Sequence, residues 1–556
     1  MKPNDPLSPG GITSTRVLVL LLLAFCAAWF CNLDYRSLVR PDEGRYAEIA
    51  REMAVTGDWV TPRLNGIKYF EKPPLQYWAT AAAYQAFGES EWTARLWAAL
   101  TGFAGVLLVG FAGTRLFGRQ AGLCAAVVLA SSLIYVVIGH INTLDMGVSF
   151  WLTLGLTGFL LAQRDRTRTR ETTLWMSLAW MAMGLGFLSK GLIGLVLPGA
   201  AMAAYALVQR DLTFLKRLEP VIGVAILLVV TLPWVIAASL ANPEFAHFFF
   251  IHEHFERFLT TTHQRVAPWW YFIPILAAGM LPWTAMLGHA GLHAWKADAP
   301  AQAFKPRRFL LLYAAVIFAF FSTSHSKLPS YILPIFPALA LLTGDWLAQV
   351  RGRTLARLIL PVAIFALAGA VASPFITDFG SARVQAGLYR IFDKWVLAGA
   401  LALLASSVMA IAFARRERIA AAAVSLGCGG ILLVQLVMSG HQVLSATYSA
   451  ARPAAIVKPL LDPAMPFYSV RTYEQTLPFY IKRTVTLVDY SDEFDFGLKQ
   501  QPELKIPTVE EFESRWRNDR KAMAIMGPDV YLELTRRGLP MRVLSEDSRW
   551  VFVTKP

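Results

Sequence analysis

The sequence predicts a mainly α-helical protein: a polytopic membrane helix bundle of about 13 spans, followed by a small C-terminal α/β domain outside the membrane. Of the 556 residues, 55% are hydrophobic and only 16% are charged, whereas typical soluble domains carry about 25% charged residues. Residues 441–556 differ from the rest, because they carry 16 basic and 15 acidic side chains and no long apolar run. Lipid is therefore expected to be the solvent for most of the chain.

The first feature is a series of apolar stretches, each long enough to cross the hydrocarbon layer of about 30 Å. We place them at 16–33, 93–113, 120–139, 145–163, 173–189, 191–209, 218–240, 270–295, 309–323, 331–350, 356–376, 395–414 and 419–440. The first stretch follows Arg16 and resembles a signal peptide. No cleavage site of small residues follows it, so we expect a retained helix.

Short basic loops join these stretches at every second connection. Their basic residues are Arg115, Arg119, Arg164, Arg166, Arg168, Arg170, Arg210, Lys216, Arg217, Lys296, Lys305, Arg307, Arg308, Arg351, Arg353, Arg357, Arg415, Arg416 and Arg418. By the positive-inside rule these loops and the N-terminus face the cytoplasm, and an odd number of spans places residues 441–556 outside. The same distribution accounts for the net charge of +14 without a nucleic-acid partner.

The C-terminal region alternates short β-rich runs with helical patterns. We predict strands at 467–470, 485–488, 522–525 and 549–553, and helices near 452–461, 508–518 and 529–537. Such alternation is typical of a small α/β domain. The chain therefore divides into residues 1–440, which include an outer amphipathic first loop at 34–92, and residues 441–556.

Two acidic residues begin a predicted helix directly after the first span. Pro41 suits the first helical position, and Asp42 and Glu43 follow in the first turn, near the positive end of the helix dipole. Apolar residues then recur at helical spacing from Tyr46 onward, which predicts an amphipathic helix in the membrane interface. The acids either complement the dipole of a solvated helix or face the bilayer surface at a reaction site.

A second motif of the first loop places Tyr69, Glu71 and Lys72 before two prolines. Pro73 and Pro74 favour an extended turn and exclude a helical conformation for the residue before them. Lys72 either extends toward the interface as a snorkelling side chain or binds an anion. On the outer side of the membrane topology gives no reason for a cation, and a carrier phosphate is a suitable partner.

The remaining candidate acid is Asp145, at the start of the fourth span. Asn142 and Thr143 precede it and are suited to cap the helix, in which case Asp145 only complements the first turn. An ionisable residue at a membrane boundary is costly, however, and points to a functional role.

Outer loops also contribute cations that, with Lys72, could surround a cavity for one or two lipid phosphates. These residues are Lys190, Arg257 and Lys327, with Tyr331 beside them.

A third cluster, His252 and His254 on either side of Glu253, raises the possibility of a divalent metal, Zn²⁺ or Mg²⁺/Mn²⁺. The two histidines are two positions apart and share no helix face, so capping or solvated histidines are the alternative. We take Glu71 and His252 as the candidate ligands. No Gly-rich phosphate loop and no Asp-x-Asp pair occurs, so a nucleotide-sugar donor is not supported and no cofactor is required.

These residues together resemble a known family. A long first outer loop with acids after the first helix, many spans and a small outer α/β tail resemble the GT-C glycosyltransferases. The segments RPDEGRYAEIAREM, YFEKPPLQYW and SKLPSYILPIFPALALL resemble, more narrowly, the 4-amino-4-deoxy-L-arabinose lipid A transferases.

The resemblance implies a multi-pass enzyme of the bacterial inner membrane whose active site and C-terminal domain are periplasmic. It implies an inverting glycosyltransferase that moves 4-amino-4-deoxy-L-arabinose from undecaprenyl phosphate to a lipid A phosphate. This modification lowers the negative charge of lipopolysaccharide and gives resistance to polymyxin and cationic peptides. The expected partners are the lipid-linked donor, lipid A and the membrane, with no nucleic acid, and the expected state is a monomer.

Carried over residue by residue, the resemblance makes Asp42 and Asp145 the catalytic acids. Lys72 and Arg257 would hold the carrier phosphate, with Lys190 and Tyr331 as further phosphate-binding candidates. The candidate substrate-cavity residues are Glu43, Tyr46, Tyr69 and Lys327.

Three other functions compete with this one. A sister enzyme would use another polyprenyl-phosphate sugar or glycosylate a protein hydroxyl, as protein O-mannosyltransferases do. A lipid-carrier flippase would need matching halves and polar residues at mid-membrane, which the sequence does not show. A non-catalytic binding protein of the outer face would not turn the carrier over.

Overall fold

The computed structural model describes residues 15–164, 169–256, 267–298, 304–379 and 386–556, except for the side chains of 254–256 and 377–379. The α-helices are α1 (Thr15–Phe30), α2 (Asp42–Thr56), α3 (Leu75–Phe87), α4 (Glu91–Phe117), α5 (Arg119–Ser131), α6 (Leu133–Gly139), α7 (Leu144–Arg164), α8 (Arg170–Lys190), α9 (Ile193–Gln209), α10 (Pro220–Ala241), α11 (Phe245–His247), α12 (Phe272–Gly279), α13 (Leu287–Ala297), α14 (Pro306–Thr323), α15 (Phe336–Leu347), α16 (Gly352–Ala372), α17 (Ala386–Arg415), α18 (Ile419–His441), α19 (Ser445–Tyr448), α20 (Ala451–Val457), α21 (Leu477–Ile481), α22 (Asp495–Gln500), α23 (Val509–Asn518) and α24 (Pro528–Arg536).

Shorter elements complete the chain. The strands are β1 (Arg63–Leu64), β2 (Ile67–Lys68), β3 (Phe467–Val470), β4 (Thr486–Val488), β5 (Lys505–Ile506), β6 (Met523–Met526), β7 (Arg542–Glu546) and β8 (Val551–Thr554). A π-helix spans Phe248–Glu256, and 3-10 turns span Thr213–Arg217, Trp269–Tyr271, Thr284–Met286, Pro329–Ile335, Ser373–Phe379, Gln442–Leu444, Lys458–Leu460, Asp492–Phe494 and Pro502–Leu504.

The predicted multi-pass helical architecture is confirmed. Among the described residues, nine helices are long and apolar enough to cross a membrane. Two further pairs, α5 with α6 and the segment containing α12 and α13, reach that length together but are bent by 65° and 110°. Helices α1 and α9 are apolar but shorter. Each of the thirteen predicted stretches coincides with one of these helices or pairs.

The two bent pairs break next to each other. The backbone N–H of Leu133 donates to the carbonyl of Leu281 over 3.1 Å. The indole of Trp283 donates to the hydroxyl of Ser131 over 2.9 Å. Lipid cannot satisfy backbone groups that a broken helix releases, so each break must find partners inside the protein. The two breaks therefore stabilise each other.

Packing contacts divide the chain into two compact units. The first contains residues 1–33, 97–373 and 394–438, and the second contains residues 34–96, 374–393 and 439–556. The first loop thus packs with the C-terminal region, whereas the predicted division assigned residues 34–92 to the transmembrane domain.

Small residues bring the helices of the first unit close together. A Cβ added to Gly158 of α7 would lie 2.6 Å from the carbonyl oxygen of Trp175 in α8. One added to Gly344 of α15 would lie 2.6 Å from the carbonyl oxygen of Ala121 in α5. Membrane helices associate through such close backbone approach, because lipid removes the hydrophobic driving force between them.

The C-terminal part of the second unit contains a six-stranded sheet, which confirms the predicted small α/β domain. Its strand order is β5-β4-β3-β6-β8-β7, with β5, β4, β3 and β6 parallel and the last two strands antiparallel. Predicted strand 467–470 is found unchanged, and the other three lie within two residues of their predicted starts. Strands β5 and β7 were missed, because β5 has two residues and β7 is a largely exposed polar edge.

A hairpin joins the first loop to the C-terminal part of the same unit. At the tip between β1 and β2, the side chain of Asn65 accepts a hydrogen bond from the Val485 backbone N–H at 2.7 Å and donates to the Val485 carbonyl at 2.8 Å. The backbone N–H groups of Asn65 and Gly66 donate to the carboxylate of Glu52 in α2. The hairpin therefore joins α2 to the residue before β4.

Helix α2 differs from the predicted interfacial helix. Ten of its 15 residues are buried, including the charged Glu48, Arg51 and Glu52. A Cβ on Gly44 would lie 2.5 Å from the Gln475 carbonyl oxygen, so the helix packs tightly against the chain around residue 475. An interfacial helix would leave its polar face uncovered, whereas other parts of the chain cover the charged residues of α2. Pro41 is the N-cap residue, one position before the predicted one.

Candidate active site

The predicted site residues fall into two groups, one in each unit. In the first unit, Asp145 lies in the first turn of α7 and Lys190 is the last residue of α8, and their side chains form an ion pair. Both side chains are largely buried, with 12% and 14% of their surface exposed. A lysine at a helix C-terminus and an acid at a helix N-terminus each complement the local dipole.

The capping alternative for this region receives no support from Thr143. Its buried hydroxyl has no hydrogen-bond partner among the described residues. Asp145 does lie in the first turn as predicted, but its closest charged contact is Lys190, a residue 45 positions later. The acid is therefore part of a tertiary contact as well as a helix start.

Tyr331 completes this group. It lies in the 3-10 turn Pro329–Ile335, and the ammonium of Lys190 sits 4.6 Å from the centre of its ring. A carboxylate and an aromatic face thus hold the same cation, and a desolvated cation–π contact adds to the ion pair. The sequence placed Lys190 and Tyr331 among the phosphate-binding candidates, and the structure brings them together.

The other candidates of the first unit have contacts of their own. The buried ammonium of Lys327 donates to the carbonyl oxygens of Ala267 at 3.0 Å and Ser324 at 2.5 Å, and burial lowers its pKa. It therefore joins its own loop to the segment at Ala267, and its assignment to the substrate cavity stays a prediction. The ring of His252 stacks on Phe248 at 5.1 Å. Arg257 lies outside the described residues.

In the second unit, Asp42 begins α2 and keeps 34% of its side chain exposed. Its nearest described ion-pair partner is Arg45, at 3.7 Å. Arg45 lies 3.9 Å from Glu493, so a chain of alternating charges runs from the helix start into the C-terminal region. Asp42 therefore remains accessible to a substrate.

Glu43 has a different environment from its neighbour. Its two carboxylate oxygens accept hydrogen bonds from the guanidinium of Arg95 at 2.7 and 2.9 Å, and both residues are fully buried. Arg95 also donates to the carbonyl oxygens of Arg36 at 2.6 Å and Ser37 at 3.0 Å. This geometry is that of a structural brace, and the role of Glu43 in the substrate cavity stays a prediction.

Two tyrosines lie in the field of these charges. Burial, followed by the charge of Asp42, raises the pKa of Tyr46 well above its ordinary value. Burial also raises the pKa of Tyr69, and the charge of Glu71 adds to the effect. Both phenols therefore stay neutral and can act as hydrogen-bond donors. The ammonium of Lys72 donates to the Glu71 carbonyl at 2.6 Å in a non-helical bend before the prolines, as predicted.

The predicted metal site finds no complete ligand set in the described part of the chain. No group of three His, Cys, Asp or Glu side chains there could hold an ion. Glu71 and His252 belong to different units and would need further ligands. The side chain of His254 lies outside the described residues.

Sequence reasoning missed three charged residues that organise these groups. Arg45 had a local signal, because it follows Asp42 at helical i, i+3 spacing. Arg95 and Glu493 had none, since each meets its partner across more than 50 residues of chain.

Known protein families match both the N-terminal helical part of the chain and its C-terminal domain. The family described as "Dolichyl-phosphate-mannose-protein mannosyltransferase" matches residues 14–249, and "Aminoarabinose transferase C-terminal domain" matches residues 453–555. The chain is 32% identical to an undecaprenyl phosphate-α-4-amino-4-deoxy-L-arabinose arabinosyl transferase of Pectobacterium carotovorum, over 71% of this chain and 72% of that protein.

A second relative is the corresponding arabinosyl transferase 2 of Pseudomonas fluorescens, 36% identical over 61% of this chain. That match spans 58% of the relative's own length, which is less than two thirds.

Solved structures match over almost the whole chain. ArnT from Cupriavidus metallidurans bound to undecaprenyl phosphate has 37% identity and a TM-score of 0.93, covering 98% of both chains. The archaeal oligosaccharyltransferase AglB from Archaeoglobus fulgidus has a TM-score of 0.53 at 12% identity, covering 92% of this chain and 70% of the other. The second likeness concerns the fold alone.

Proposed function

Because this chain belongs to the undecaprenyl phosphate-α-4-amino-4-deoxy-L-arabinose arabinosyl transferase family, we propose that it transfers that sugar from undecaprenyl phosphate to a phosphate of lipid A. The proposal rests on the likeness to a structure bound to undecaprenyl phosphate. That structure is 37% identical in sequence and covers 98% of this chain. The bound lipid is a property of that relative, and its use by this chain is part of the proposal.

The donor side of the reaction needs cations. When the bond between the anomeric carbon and the carrier oxygen breaks, its electron pair leaves with undecaprenyl phosphate, and negative charge develops on that oxygen. Lys190, oriented by Asp145 and Tyr331, is suited to stabilise it. Lys72 and Arg257 are further proposed carrier-phosphate ligands. Asp145 acts in this scheme through Lys190 and not as a free base.

The acceptor side needs little activation. A phosphate monoester is largely ionised near neutral pH, so one of its oxygens can attack the anomeric carbon without a general base. In-line attack forms the new carbon–oxygen bond opposite the leaving group and inverts the configuration. Asp42, exposed at the start of α2, would orient the sugar or its amine. Tyr46 and Tyr69 would donate hydrogen bonds within the same unit.

The remaining expectations extend the proposal to the cell. We propose that the enzyme resides in the bacterial inner membrane with its active site and C-terminal domain in the periplasm, and that it acts as a monomer. The product carries an added amine, which lowers the negative charge of lipopolysaccharide. Resistance to polymyxin and cationic peptides is the expected consequence. A divalent metal, with Glu71 and His252 as ligands, stays a prediction.

A second candidate function has a specific observation in its favour. The family model over residues 14–249 is that of a protein mannosyltransferase, whose acceptor is a hydroxyl group. A hydroxyl needs a base to become a good nucleophile, so Asp42 would then accept a proton. The two functions differ in product: one adds an aminopentose to a lipid, and the other adds a hexose to a protein.

Mass spectrometry of lipid A from cells with and without an active copy of the gene tests the proposal. We expect an added mass of one aminopentose per modified phosphate in the first culture alone. Unchanged lipid A together with a newly glycosylated protein would support the second candidate and contradict the first.

A further inference from the structure

Two arginines and a tyrosine of the second unit belong to segments near the start of α2. Arg40 lies two residues before Asp42, and its backbone N–H donates to the carbonyl of Tyr448 at 2.9 Å. Arg549 lies in the turn before β8, and the positive charge of Arg40 contributes to lowering the pKa of its guanidinium.

One edge of the Arg549 guanidinium has no hydrogen-bond partner among the described residues. Only 6% of its side chain is exposed, and its one described ion pair joins Nη1 to Oε2 of Glu474 at a long 3.5 Å. The buried Nε and Nη2 atoms have no hydrogen-bond acceptor among the described residues. These two N–H groups form one edge of the guanidinium, which matches two oxygens of a phosphate or carboxylate.

Arg40 and Tyr448 are also without described side-chain acceptors. Neither the guanidinium nor the phenol forms a hydrogen bond or ion pair within the part of the chain that the structure describes, although the Tyr448 ring stacks on His441. Both are partly exposed, which leaves the group a side open to solvent. Burial and then the positive charge of Arg40 lower the pKa of Arg549, while Glu474 opposes the effect.

The nearby acids are committed elsewhere. Oε1 of Glu474 accepts the hydroxyl and the backbone N–H of Thr476, and Oε2 accepts the indole of Trp550 at 3.0 Å. Asp547 accepts the backbone N–H groups of Arg549 and Trp550. A purely structural Arg549 would be expected to take the better of these contacts. Instead, the buried Arg549 keeps one long carboxylate contact while the positive charge of Arg40 acts on it, and a buried guanidinium in this position is costly unless an anion joins it.

We propose that Arg40, Tyr448 and Arg549 form a subsite for a phosphate-class anion carried by the acceptor lipid. The inference rests on the proposed function, in which that acceptor is lipid A. Because Arg40 precedes Asp42 by two residues, an anion held here lies beside the helix start at which the sugar would be oriented. The same chemistry would admit free inorganic phosphate or the carrier phosphate, and the experiments separate these sources.

Binding is tested first, independently of turnover. The purified full-length chain in detergent is titrated with inorganic phosphate and followed by ³¹P NMR, alongside the Arg549→Gln and Arg40→Gln variants. The matched control is Arg537→Gln, an arginine of the same region already paired with Glu510 and Glu513. We expect at least about tenfold weaker binding in the first two variants and parent-like binding in the control. Equal affinity in all four proteins would overturn the proposal.

Steady-state kinetics then identify the source of the anion. With doubly phosphorylated lipid A we expect Arg40→Gln to raise the KM for the acceptor about tenfold, and to leave kcat and the KM for the donor within about twofold. A rise in the donor KM alone would assign the subsite to the carrier and contradict the proposal. If Arg549→Gln fails to fold, Arg40→Gln carries both tests, since its side chain has no described partner to lose. A parent without transfer activity would overturn the proposed function while the phosphate titration still decides whether the subsite exists.

Discussion

Asp42 and Glu43 are adjacent in sequence, yet the structure gives them opposite environments. Glu43 is buried in a two-hydrogen-bond pair with Arg95, whereas Asp42 is one-third exposed with only a 3.7 Å contact to Arg45. The motif predicted both acids in the first helical turn, and this is confirmed. It could not separate their roles, because Arg95 reaches Glu43 from 52 residues away.

The first prediction concerns Asp42→Asn, which keeps the size and removes the charge. A dipole partner contributes only about 0.3–1 kcal/mol, so a structural role predicts a small loss of stability and normal turnover. A group that orients the reacting sugar should cost at least roughly 100-fold in rate. We expect a folded, carrier-binding protein with little transfer, measured as turnover at parent-like expression and melting temperature. Near-normal turnover would remove Asp42 from the mechanism.

The second prediction concerns the ion pair between Lys190 and Asp145. Lys190→Ala should weaken binding of undecaprenyl phosphate by about 1.5–3 kcal/mol, the value of a charge-assisted contact. If Asp145 works by holding Lys190, then Asp145→Asn adds little to Lys190→Ala in the double variant. Binding of the labelled carrier to all four proteins measures this coupling. Fully additive losses would show that Asp145 has a function of its own.

The third prediction concerns Lys72→Ala. Lys72 lies in the loop that Pro73 and Pro74 define, and its ammonium already donates to the Glu71 carbonyl. We expect carrier binding to fall by about 1.5–3 kcal/mol, more than the stability of the fold does. Parent-like carrier affinity in the purified variant would exclude Lys72 as a phosphate ligand. Arg257→Ala should behave alike, although Arg257 lies outside the described residues.

At the scale of elements, the periodicity of the sequence was enough to locate the long helices but not their surroundings. Helix α2 was found where predicted, within a residue, yet its charged Glu48, Arg51 and Glu52 are buried. These charges are satisfied by each other and by the hairpin tip at Asn65 and Gly66. A hydrophobic pattern identifies the apolar face of a helix only. It therefore could not predict that the charged residues of α2 are buried.

The brace between Glu43 and Arg95 gives a prediction at this scale. Removing one partner of a buried pair leaves an uncompensated charge, and Arg95→Met should cost about 3–5 kcal/mol of unfolding free energy. The double variant Glu43→Gln with Arg95→Met should recover part of the loss. The control Glu171→Gln breaks the exposed pair with Arg115 and should cost no more than about 1 kcal/mol. Chemical unfolding of the full chain in detergent measures all three, and equal small losses would show that the brace is unimportant.

At the scale of the whole molecule, the thirteen apolar stretches and the C-terminal α/β domain were predictable from composition and period. The grouping of residues 34–96 with residues 439–556 was not. It depends on contacts such as that of Asn65 with Val485, 420 residues apart, and no local pattern encodes such a pair. The same limit applies to the candidate site. Its acids and cations could be identified one by one from the sequence, but their partners could be identified only from the fold.

Topology gives the prediction for the whole chain. By the positive-inside rule, the basic loops at every second connection predict a cytoplasmic N-terminus and an outer location for residues 441–556. A reporter enzyme fused after Pro556 should therefore be active only if it functions in the periplasm. Activity of a strictly cytoplasmic reporter at that position would reverse the orientation and remove the proposed location of the active site.

Sugar transfer by the purified chain is the most direct test of the proposed function. The full-length protein is reconstituted with undecaprenyl-phosphate-linked 4-amino-4-deoxy-L-arabinose and lipid A, and the products are analysed by mass spectrometry and ³¹P NMR. We expect release of undecaprenyl phosphate in step with attachment of an aminopentose to a lipid A phosphate, with inverted anomeric configuration. Hydrolysis of the donor without lipid A modification, or attachment to a hydroxyl group, would contradict it.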